Sequence, residues 1–305
     1  MNDSDLNVVT GAFGYTGRYI AQKLICTGRK VRTITGHPDR ENPFGDQVKA
    51  YPLDFNDPDS LAQSLGGATT LYNTYWVRFP RGKTTFETAV ENTKVLIDAA
   101  KQAGVQRIVH ISITNPSLDS PLGYFRGKAL VEEAIIDSGL AYKIIRPTLI
   151  YGAEDVLINN IAWFLRRFPF FAVPGDGDYP VQPVHVEDVA EAAVSAVAGN
   201  ENTIQDCVGP EVYTYEQLVR LIAGCIGSKA RVAHLPPGLT LFFSRIAGYL
   251  VRDVVLTRAE IDGLMAGLLV SDGPPNGQTS FSRWLEENQD NLGRSYVSEM
   301  DRHYR

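Results

Sequence analysis

The sequence predicts an α/β protein with a doubly wound parallel sheet and a smaller C-terminal lobe. Up to about Gly152, short apolar runs alternate with segments of helical periodicity, which is typical of βαβ units. Beyond Gly152, the alternation gives way to aromatic and proline-rich stretches. We therefore expect a sheet-forming core over residues 1–152. Residues 153–305 should be a mixed segment that completes the sheet and forms the smaller lobe.

The predicted elements of the core follow one another from residue 6 to residue 145. Apolar residues at helical spacing indicate each helix, and a glycine often follows its end. Asp57 before Pro58 places a capping side chain ahead of a proline, which predicts a helix start. We expect strands at 6–10, 31–35, 69–73, 107–111 and 142–145, and helices through 19–24, from 58, over 85–103 and over 125–138. Asp188 should cap a later helix that begins at Val189.

Composition excludes several classes of function. The 305 residues carry a net charge of −6, whereas a nucleic-acid-binding surface needs clustered Lys and Arg. We therefore expect no nucleic-acid partner. The three cysteines, Cys26, Cys207 and Cys225, lack the spacing of a zinc site or a redox dithiol. They predict reduced thiols and no metal site.

Two stretches bear on the location of the protein. Acidic residues at the N-terminus stand where a secretory signal would need a positive flank, which favours a cytoplasmic protein. The stretch from Leu239 to Val251 is shorter than the roughly 20 residues of a spanning helix, and Ser244 and Arg245 interrupt it. No transmembrane segment is expected. Peripheral contact of residues 239–251 with a membrane and a place on a soluble helix are both open, and an oligomer is possible.

A glycine-rich turn follows the first predicted strand. Its glycines have the spacing G-x-x-G-x-x-G between a strand and a helix. In this setting Gly11 lets the chain turn, Gly14 lets the backbone approach a pyrophosphate, and Gly17 permits close packing of the helix. The turn predicts a Rossmann-type dinucleotide site, and the alternative is a turn without a ligand. The candidate binding residues here are Gly11, Phe13, Gly14, Tyr15, Thr16 and Gly17.

The end of the second predicted strand bears on the choice of cofactor. An acid about 20 residues past the start of the motif would favour NAD by binding the ribose hydroxyls, and none is present. His37 and Arg40 follow the strand instead and are candidates for contact with a 2′-phosphate; a solvated loop is the alternative. Asp54 is a candidate for the adenine side, or for capping a turn. We therefore expect NADP as the cofactor, with NAD as the alternative.

Further motifs occur in a fixed order along the chain. Besides the glycines, they are Asn92-Thr93, Ser112, Tyr124-Phe125-Arg126-Gly127-Lys128, Arg146-Pro147-Thr148, Tyr151-Gly152 and Val184-His185-Val186-Glu187-Asp188-Val189-Ala190. Over most of residues 6–200 the chain resembles the short-chain dehydrogenase/reductase superfamily. The similarity is to its extended and atypical branches, which include NAD-dependent epimerase/dehydratase-like and NmrA-like proteins. The stretch from Phe281 to His303 resembles tails of proteins related to the Rossmann-type accessory subunit of respiratory complex I.

The resemblance implies a catalytic role for Tyr124 and Lys128. Tyr124 would be the general acid/base, and Lys128 its partner and a ligand of the nicotinamide ribose. The spacing suits these roles, because residues four apart share a helix face and an ammonium lowers the pKa of a nearby phenol. The alternative is a tyrosine that starts a helix and a lysine that is a surface charge.

One position departs from the pattern of this superfamily. In many extended members, the hydroxyl that polarises the substrate directly follows the serine aligned with Ser112, and Ile113 stands there in this chain. Ser112 and Thr114 are the candidates to replace it, since both face the same way if the strand continues.

Two functions are consistent with these observations. The first is an NAD(P)-dependent oxidoreductase or epimerase that acts on a hydroxyl or carbonyl carbon of a small-molecule substrate. Aromatic residues near the carboxyl edge of the sheet favour an apolar substrate, unless they form core: Tyr75, Trp76, Phe79, Trp163, Phe164, Phe168, Phe170 and Phe171. The second is a non-catalytic NAD(P)H-binding protein with a structural, assembly or redox-sensing role, which Ile113 and the C-terminal tail favour.

Overall fold

The computed structural model describes residues 5–195 and 201–303. The chain divides into two compact units. The first comprises Met1–Pro147 and Val186–Asp206, and the second comprises Thr148–His185 and Cys207–Arg305. The first boundary therefore lies at Pro147, five residues before the Gly152 boundary that the sequence suggested. The chain later returns to the first unit because one helix and one strand of that unit follow residues 148–185.

The strands of both units are short, with at most seven residues in those that the structure describes. They are Leu6–Thr10 (β1), Lys30–Thr35 (β2), Val48–Pro52 (β3), Ala68–Asn73 (β4), Arg107–Ile111 (β5), Ala141–Pro147 (β6), Leu149–Tyr151 (β7), Phe170–Pro174 (β8), Pro180–Val181 (β9), Pro183–His185 (β10), Thr203–Cys207 (β11), Tyr213–Thr214 (β12) and Arg231–Leu235 (β13).

The helices alternate with these strands in the first unit and cluster toward the end of the second. They are Tyr15–Cys26 (α1), Pro58–Leu65 (α2), Phe86–Gln102 (α3), Gly123–Asp137 (α4), Leu157–Arg167 (α5), Val186–Ser195 (α6), Tyr215–Cys225 (α7), Pro237–Val251 (α8), Arg258–Met265 (α9), Phe281–Asn288 (α10) and Glu299–His303 (α11).

The first unit is built on a seven-stranded sheet in the part of the chain that is described. Its strand order is β11-β6-β5-β4-β1-β2-β3, and every pair from β3 to β6 is parallel. Helix α1 packs on α6, while α3 packs on both α2 and α4. Two groups of helices are expected when right-handed crossovers lead away from β1 in both directions. The predicted doubly wound parallel fold is confirmed.

Buried aliphatic residues from strands and helices form the core of the first unit. They include Val8, Ile34, Leu71, Ile108 and Ile144 from the strands and Leu61, Val90, Leu96 and Val131 from the helices. All five predicted strands are present, with ends within two residues of those expected. Asp57 caps α2 by accepting a hydrogen bond from the Ser60 amide at 3.1 Å, as its place before Pro58 predicted.

Two local expectations differ from the structure. Strand β3 was not predicted, because only the first residue of Val48–Pro52 is buried and the other four are half-buried or exposed. Helix α6 begins at Val186, directly after β10, so Asp188 lies in its first turn and does not cap it. Asp188 still contributes a favourable negative charge at the positive end of that helix.

The second unit is held together by a core of aromatic and aliphatic side chains. Its strands form three two-stranded pairs within the described residues, β7 with β10, β8 with β13, and β9 with β12. Tyr151 is fully buried, and its ring lies about 5 Å from the rings of Phe281 and Trp284. The ring centroids of Trp163 and Phe164 are 5.1 Å apart. These contacts support a packing role for Trp163 and Phe164, whereas Phe168 and Phe170 are exposed.

Arg166 and Arg167 at the end of α5 are held by backbone carbonyls of the same unit. Arg166 donates to the carbonyl oxygens of Leu292 at 2.9 Å and Gln289 at 2.6 Å, and Arg167 donates to that of Arg294 at 2.8 Å. The two arginines therefore satisfy carbonyls in the segment that follows α10.

Candidate functional site

The turn between β1 and α1 is fixed by hydrogen bonds to β2. Gly11 adopts a positive φ of 63°, and its amide donates to the Ile34 carbonyl at 2.9 Å. The Ala12 amide donates to the Thr33 hydroxyl at 2.9 Å. Because a positive φ favours glycine, Gly11 is suited to reverse the chain at this point.

Gly17 and Gly14 serve different purposes in the same turn. A Cβ on Gly17 would overlap the carbonyl oxygen of Gly11, so Gly17 is needed for the helix to pack on the turn. Gly14 is the N-cap residue of α1 in an extended conformation, and no side chain caps the first helical turn. The amide groups at this helix start, with the positive end of the helix dipole, form a cradle suited to a pyrophosphate. The residues present therefore fit a dinucleotide.

The other candidate residues of the turn surround this cradle. Phe13, Tyr15 and Thr16 are all half-buried. The ring of Tyr15 packs edge-on against Tyr19 with centroids 5.9 Å apart. The structure thus places the whole predicted group of residues in one strand–turn–helix unit.

The candidates for cofactor choice lie at the same edge of the sheet, after β2 and β3. His37 is exposed, and its amide donates to the Thr35 hydroxyl at 3.2 Å. Arg40 is half-buried, and its amide donates to the His37 carbonyl at 3.2 Å. Asp54 is exposed, and one of its carboxylate oxygens accepts hydrogen bonds from the amide and side chain of Asn56. For Asp54, the geometry supports the turn-forming alternative.

Arg40→Ala should weaken NADPH binding about tenfold and leave NADH binding unchanged. The reason is that a guanidinium forms charge-assisted hydrogen bonds with a 2′-phosphate, which only NADPH carries. Titration calorimetry with both nucleotides measures this difference. Lys49→Ala, at an exposed position of β3, is the control for the loss of one cationic side chain. An Arg40→Ala protein with unchanged NADPH affinity would contradict the assignment.

Helix α4 carries two of the predicted catalytic residues, Tyr124 and Lys128, and the structure buries Lys128. Lys128 is only 3% exposed, and its ammonium donates to the Ile111 carbonyl at the end of β5 at 2.8 Å. The nitrogen also lies 4.8 Å from the centroid of the Trp76 ring. Burial lowers the pKa of Lys128 to about 7, and the charge of Glu132 opposes this shift. The alternative of a surface lysine is therefore wrong.

Tyr124 lies in the first turn of α4 and is half-buried among aromatic rings. Its ring meets those of Trp76 and Phe86 edge-on, each at 5.8 Å. Trp76 and Phe86 can approach α4 because it has glycine at two positions. A Cβ on Gly127 would come within 2.7 Å of the Trp76 ring, and one on Gly123 within 2.8 Å of the Phe86 ring.

Both hydroxyls proposed to polarise a substrate donate to acceptors inside the protein. The Ser112 hydroxyl donates to the Glu132 carboxylate at 2.5 Å, and that carboxylate also accepts from the Arg146 guanidinium at 3.0 Å. The Thr114 hydroxyl donates to the Arg146 carbonyl at 3.0 Å. Ser112, Thr114 and Lys128 therefore come together at the end of β5. All three side chains, however, donate hydrogen bonds to acceptors within the protein.

One further polar side chain in this region was not singled out by the sequence patterns. His110 in β5 is fully buried, and its Nδ1 lies 3.2 Å from the side-chain nitrogen of Asn73. Burial and the charge of Lys128 hold the pKa of His110 well below its usual value. Its Nε2 and the indole nitrogen of Trp76 have no hydrogen-bond partner among the described residues. The pair of glycines on α4 could have indicated Trp76, whereas nothing in the sequence singles out His110.

Two structural features are absent from residues 5–195 and 201–303. No group of three or more His, Cys, Asp or Glu side chains there is placed to hold a metal ion. No helix in those residues is both long enough and apolar enough to cross a membrane.

The chain is similar to mitochondrial complex I subunits. It is 27% identical over 283 residues to subunit 9 of the NADH dehydrogenase [ubiquinone] 1 alpha subcomplex of Arabidopsis thaliana, covering 87% of this chain and 70% of that protein. The mouse subunit 9 is 30% identical, with 71% of this chain and 60% of that protein covered. The chain thus spans about two thirds of the length of these relatives. A photosystem II assembly factor of Guillardia theta is 25% identical over 94% of both chains.

Solved structures share the fold. An NADPH-dependent quinone oxidoreductase of Escherichia coli, complexed with NADPH, superposes with a TM-score of 0.74 at 22% identity. The superposition covers 94% of this chain and 99% of the quinone oxidoreductase chain. The sequence profile of a family described as NAD(P)H-binding matches residues 11–200, which is well over half of the chain. This range begins at the first glycine of the cradle and includes α4. Because the match covers more than half of the chain, the chain belongs to the NAD(P)H-binding family.

Proposed function

We propose that this protein binds NAD(P)H to stabilise its fold or to report redox state within a larger assembly, and not to turn over a substrate. The hydrogen bonding of Ser112 is the observation that carries the proposal. Its hydroxyl donates to Glu132, which is 4% exposed and paired with Arg146. A hydroxyl held in this way donates to a buried carboxylate in place of a substrate oxygen.

Lys128 supports the same proposal. Its ammonium donates to a backbone carbonyl and lies over the face of the Trp76 ring. The hydrogen bond holds the side chain at the end of β5, and the ring that covers it follows β4. The similarity to complex I subunits and to an assembly factor also favours a role among protein partners.

At this site the cofactor would supply the redox chemistry, and the residues of the chain would bind and orient it. When bound, the nicotinamide ring can supply or accept a hydride. The turn from Gly11 to Gly17 would hold the pyrophosphate, and Arg40 would bind a 2′-phosphate. Lys128 would bind the nicotinamide ribose, as the superfamily resemblance implies.

The second candidate is an oxidoreductase or epimerase in which Tyr124 is the general acid/base and Lys128 its partner. Two observations favour it. Both residues lie on α4 four positions apart, and a lysine with a pKa of about 7 can exchange protons near neutrality. The aromatic rings around Tyr124 suit an apolar substrate with a hydroxyl or carbonyl carbon.

NADPH oxidation separates the two candidates. We expect the wild-type protein to gain about 2.7 kcal/mol of unfolding free energy at a hundredfold excess of NADPH over its Kd. It should show no NADPH oxidation above background with carbonyl, sugar-nucleotide or quinone substrates. Tyr124→Phe should leave the NADPH affinity unchanged. Thermal unfolding, calorimetry and absorbance at the nicotinamide band measure these quantities.

A different result would support the second candidate. Wild-type turnover that Tyr124→Phe removes, with NADPH affinity intact, would establish the oxidoreductase and overturn the structural role. Tyr142→Phe, in β6, is the matched control for the loss of a phenol hydroxyl. A wild-type protein that does not bind NADPH would overturn both candidates.

A further inference from the structure

Helix α8 directs large apolar side chains away from the protein. Six of its residues are between 46% and 86% exposed: Leu239, Phe242, Phe243, Ile246, Tyr249 and Leu250. In a helix at the surface of a globular protein, such residues normally face the core. A contiguous apolar surface of this kind is typical of an interaction site.

The inward face of α8 combines small and polar residues with the half-buried Leu241 and Val251. Thr240 and Gly248 are buried, and half-buried Ser244 lies between them at four-residue spacing. The Ser244 hydroxyl donates to the Leu241 carbonyl within the helix at 2.8 Å. A Cβ on Gly248 would come within 2.6 Å of the Asp253 carbonyl oxygen. The helix therefore approaches its neighbours closely at its small residues, and most of its large apolar side chains face outward.

The end of α8 is firmly attached to the second unit. Arg252 ends the helix in the left-handed conformation, and the Asp253 amide donates to the Gly248 carbonyl at 3.0 Å. The buried Asp253 carboxylate accepts from the Glu299 amide at 2.8 Å and from the Tyr296 hydroxyl at 3.1 Å. The outward face is thus displayed by an anchored helix.

The charge of α8 indicates what covers this face. Arg245 and Arg252 are exposed, and there is no Asp or Glu between residues 237 and 252, although the whole chain has a net charge of −6. Apolar residues beside an exposed cation such as Arg245 complement an anionic phospholipid surface, and the Asp253 that follows Arg252 is buried. A two-fold contact between two copies of α8 would instead bring the arginines of both copies together without a carboxylate.

We propose that α8 is an interfacial membrane anchor that docks on anionic phospholipid bilayers. The 15 residues of α8 extend about 22 Å, which is less than the hydrocarbon thickness of a bilayer, so the helix lies in the plane of the interface. Its outward aromatic and aliphatic side chains enter the boundary between headgroups and acyl chains. Arg245 contacts the lipid phosphates.

Co-sedimentation with vesicles tests the anchor on the full chain. The wild-type protein should bind mixed phosphatidylcholine–phosphatidylglycerol vesicles, and binding should weaken with phosphatidylcholine alone or at high salt. The double variant Phe242→Ser, Phe243→Ser should reduce the partition coefficient about tenfold or more, because two aromatic side chains no longer enter the interface. Arg245→Glu should reduce binding to the mixed vesicles alone.

Two controls distinguish the anchor from its alternatives. Phe170→Ser removes a side chain that is 60% exposed in β8, outside α8, and should leave vesicle binding unchanged. All variants should bind NADPH as the wild type does, which shows that they are folded. Absence of vesicle binding by the wild type would overturn the proposal. So would a wild-type dimer in sedimentation velocity that the double variant converts to monomers without a change in vesicle binding.

Discussion

Replacing Gly14 with valine should abolish NADPH binding while the protein stays folded. The backbone of Gly14 is extended, with φ −88° and ψ −174°, so a valine is compatible with its conformation. A Cβ there would meet the Gly11 carbonyl oxygen at 3.2 Å, which requires only a small adjustment. The branched side chain would occupy the space that the pyrophosphate needs at the start of α1.

The expected loss is large enough for calorimetry to measure without ambiguity. We expect Kd for NADPH to rise about hundredfold or more, equivalent to about 2.7 kcal/mol. Gly224→Val, in α7 of the second unit, is a matched control because a Cβ there meets no atom within 4 Å. Normal NADPH binding by a folded Gly14→Val protein would show that the dinucleotide lies elsewhere.

Lys128→Met should stabilise the protein at pH 7 and weaken NADPH binding at the same time. A buried ammonium loses its hydration, which is why burial lowers the pKa of Lys128 to about 7 from the usual 10.5. Methionine has a similar length and no charge. The variant should gain on the order of 2 kcal/mol of unfolding free energy at pH 7, after the lost hydrogen bond to Ile111 is allowed for.

This gain should depend on pH in a definite direction. Between pH 7 and 10.5 the unfolded chain keeps a proton on Lys128 that the folded chain has released. The free energy of unfolding contributed by this group therefore rises with pH across that window, because the unfolded state binds more protons. The stability difference between Lys128→Met and the wild type should be largest at pH 7 and below, and should shrink toward pH 10.

Urea titrations at a series of pH values measure this difference. Lys101→Met, at an exposed position of α3, is the control for the loss of one charge. A Lys128→Met protein less stable than the wild type at every pH would mean that the contacts with Ile111 and Trp76 outweigh the loss of hydration. Improved stability with reduced NADPH affinity would identify Lys128 as a ligand-binding group. A buried charge that lowers stability is typical of a functional site.

Local patterns determined most of the first unit. The strands from β1 to β6, with the exception of β3, and the helices between them follow from apolar periodicity, because βαβ units form from contiguous sequence. The cradle was also predictable, since its three glycines lie within seven residues. Strand β3 escaped prediction because hydrogen bonds with β2, rather than its own apolar pattern, define it.

The chemistry at the end of β5 depended on residues distant in the chain. Ser112 is 20 residues from Glu132, and Glu132 is 14 residues from Arg146. No local pattern indicates that these side chains meet. Trp76 and Lys128 likewise come together only because β4 and α4 are adjacent to β5 in the folded unit.

The sequence by itself thus determined the doubly wound sheet, the dinucleotide cradle and the positions of Tyr124 and Lys128 on one helix. Tertiary structure decided whether those side chains are available. It tied Ser112 to Glu132, buried Lys128 beneath Trp76 and turned the apolar face of α8 outward. The physical reason is that periodicity specifies the faces of a helix or strand. Which face is buried, and which polar atoms meet there, depends on packing between elements far apart in sequence.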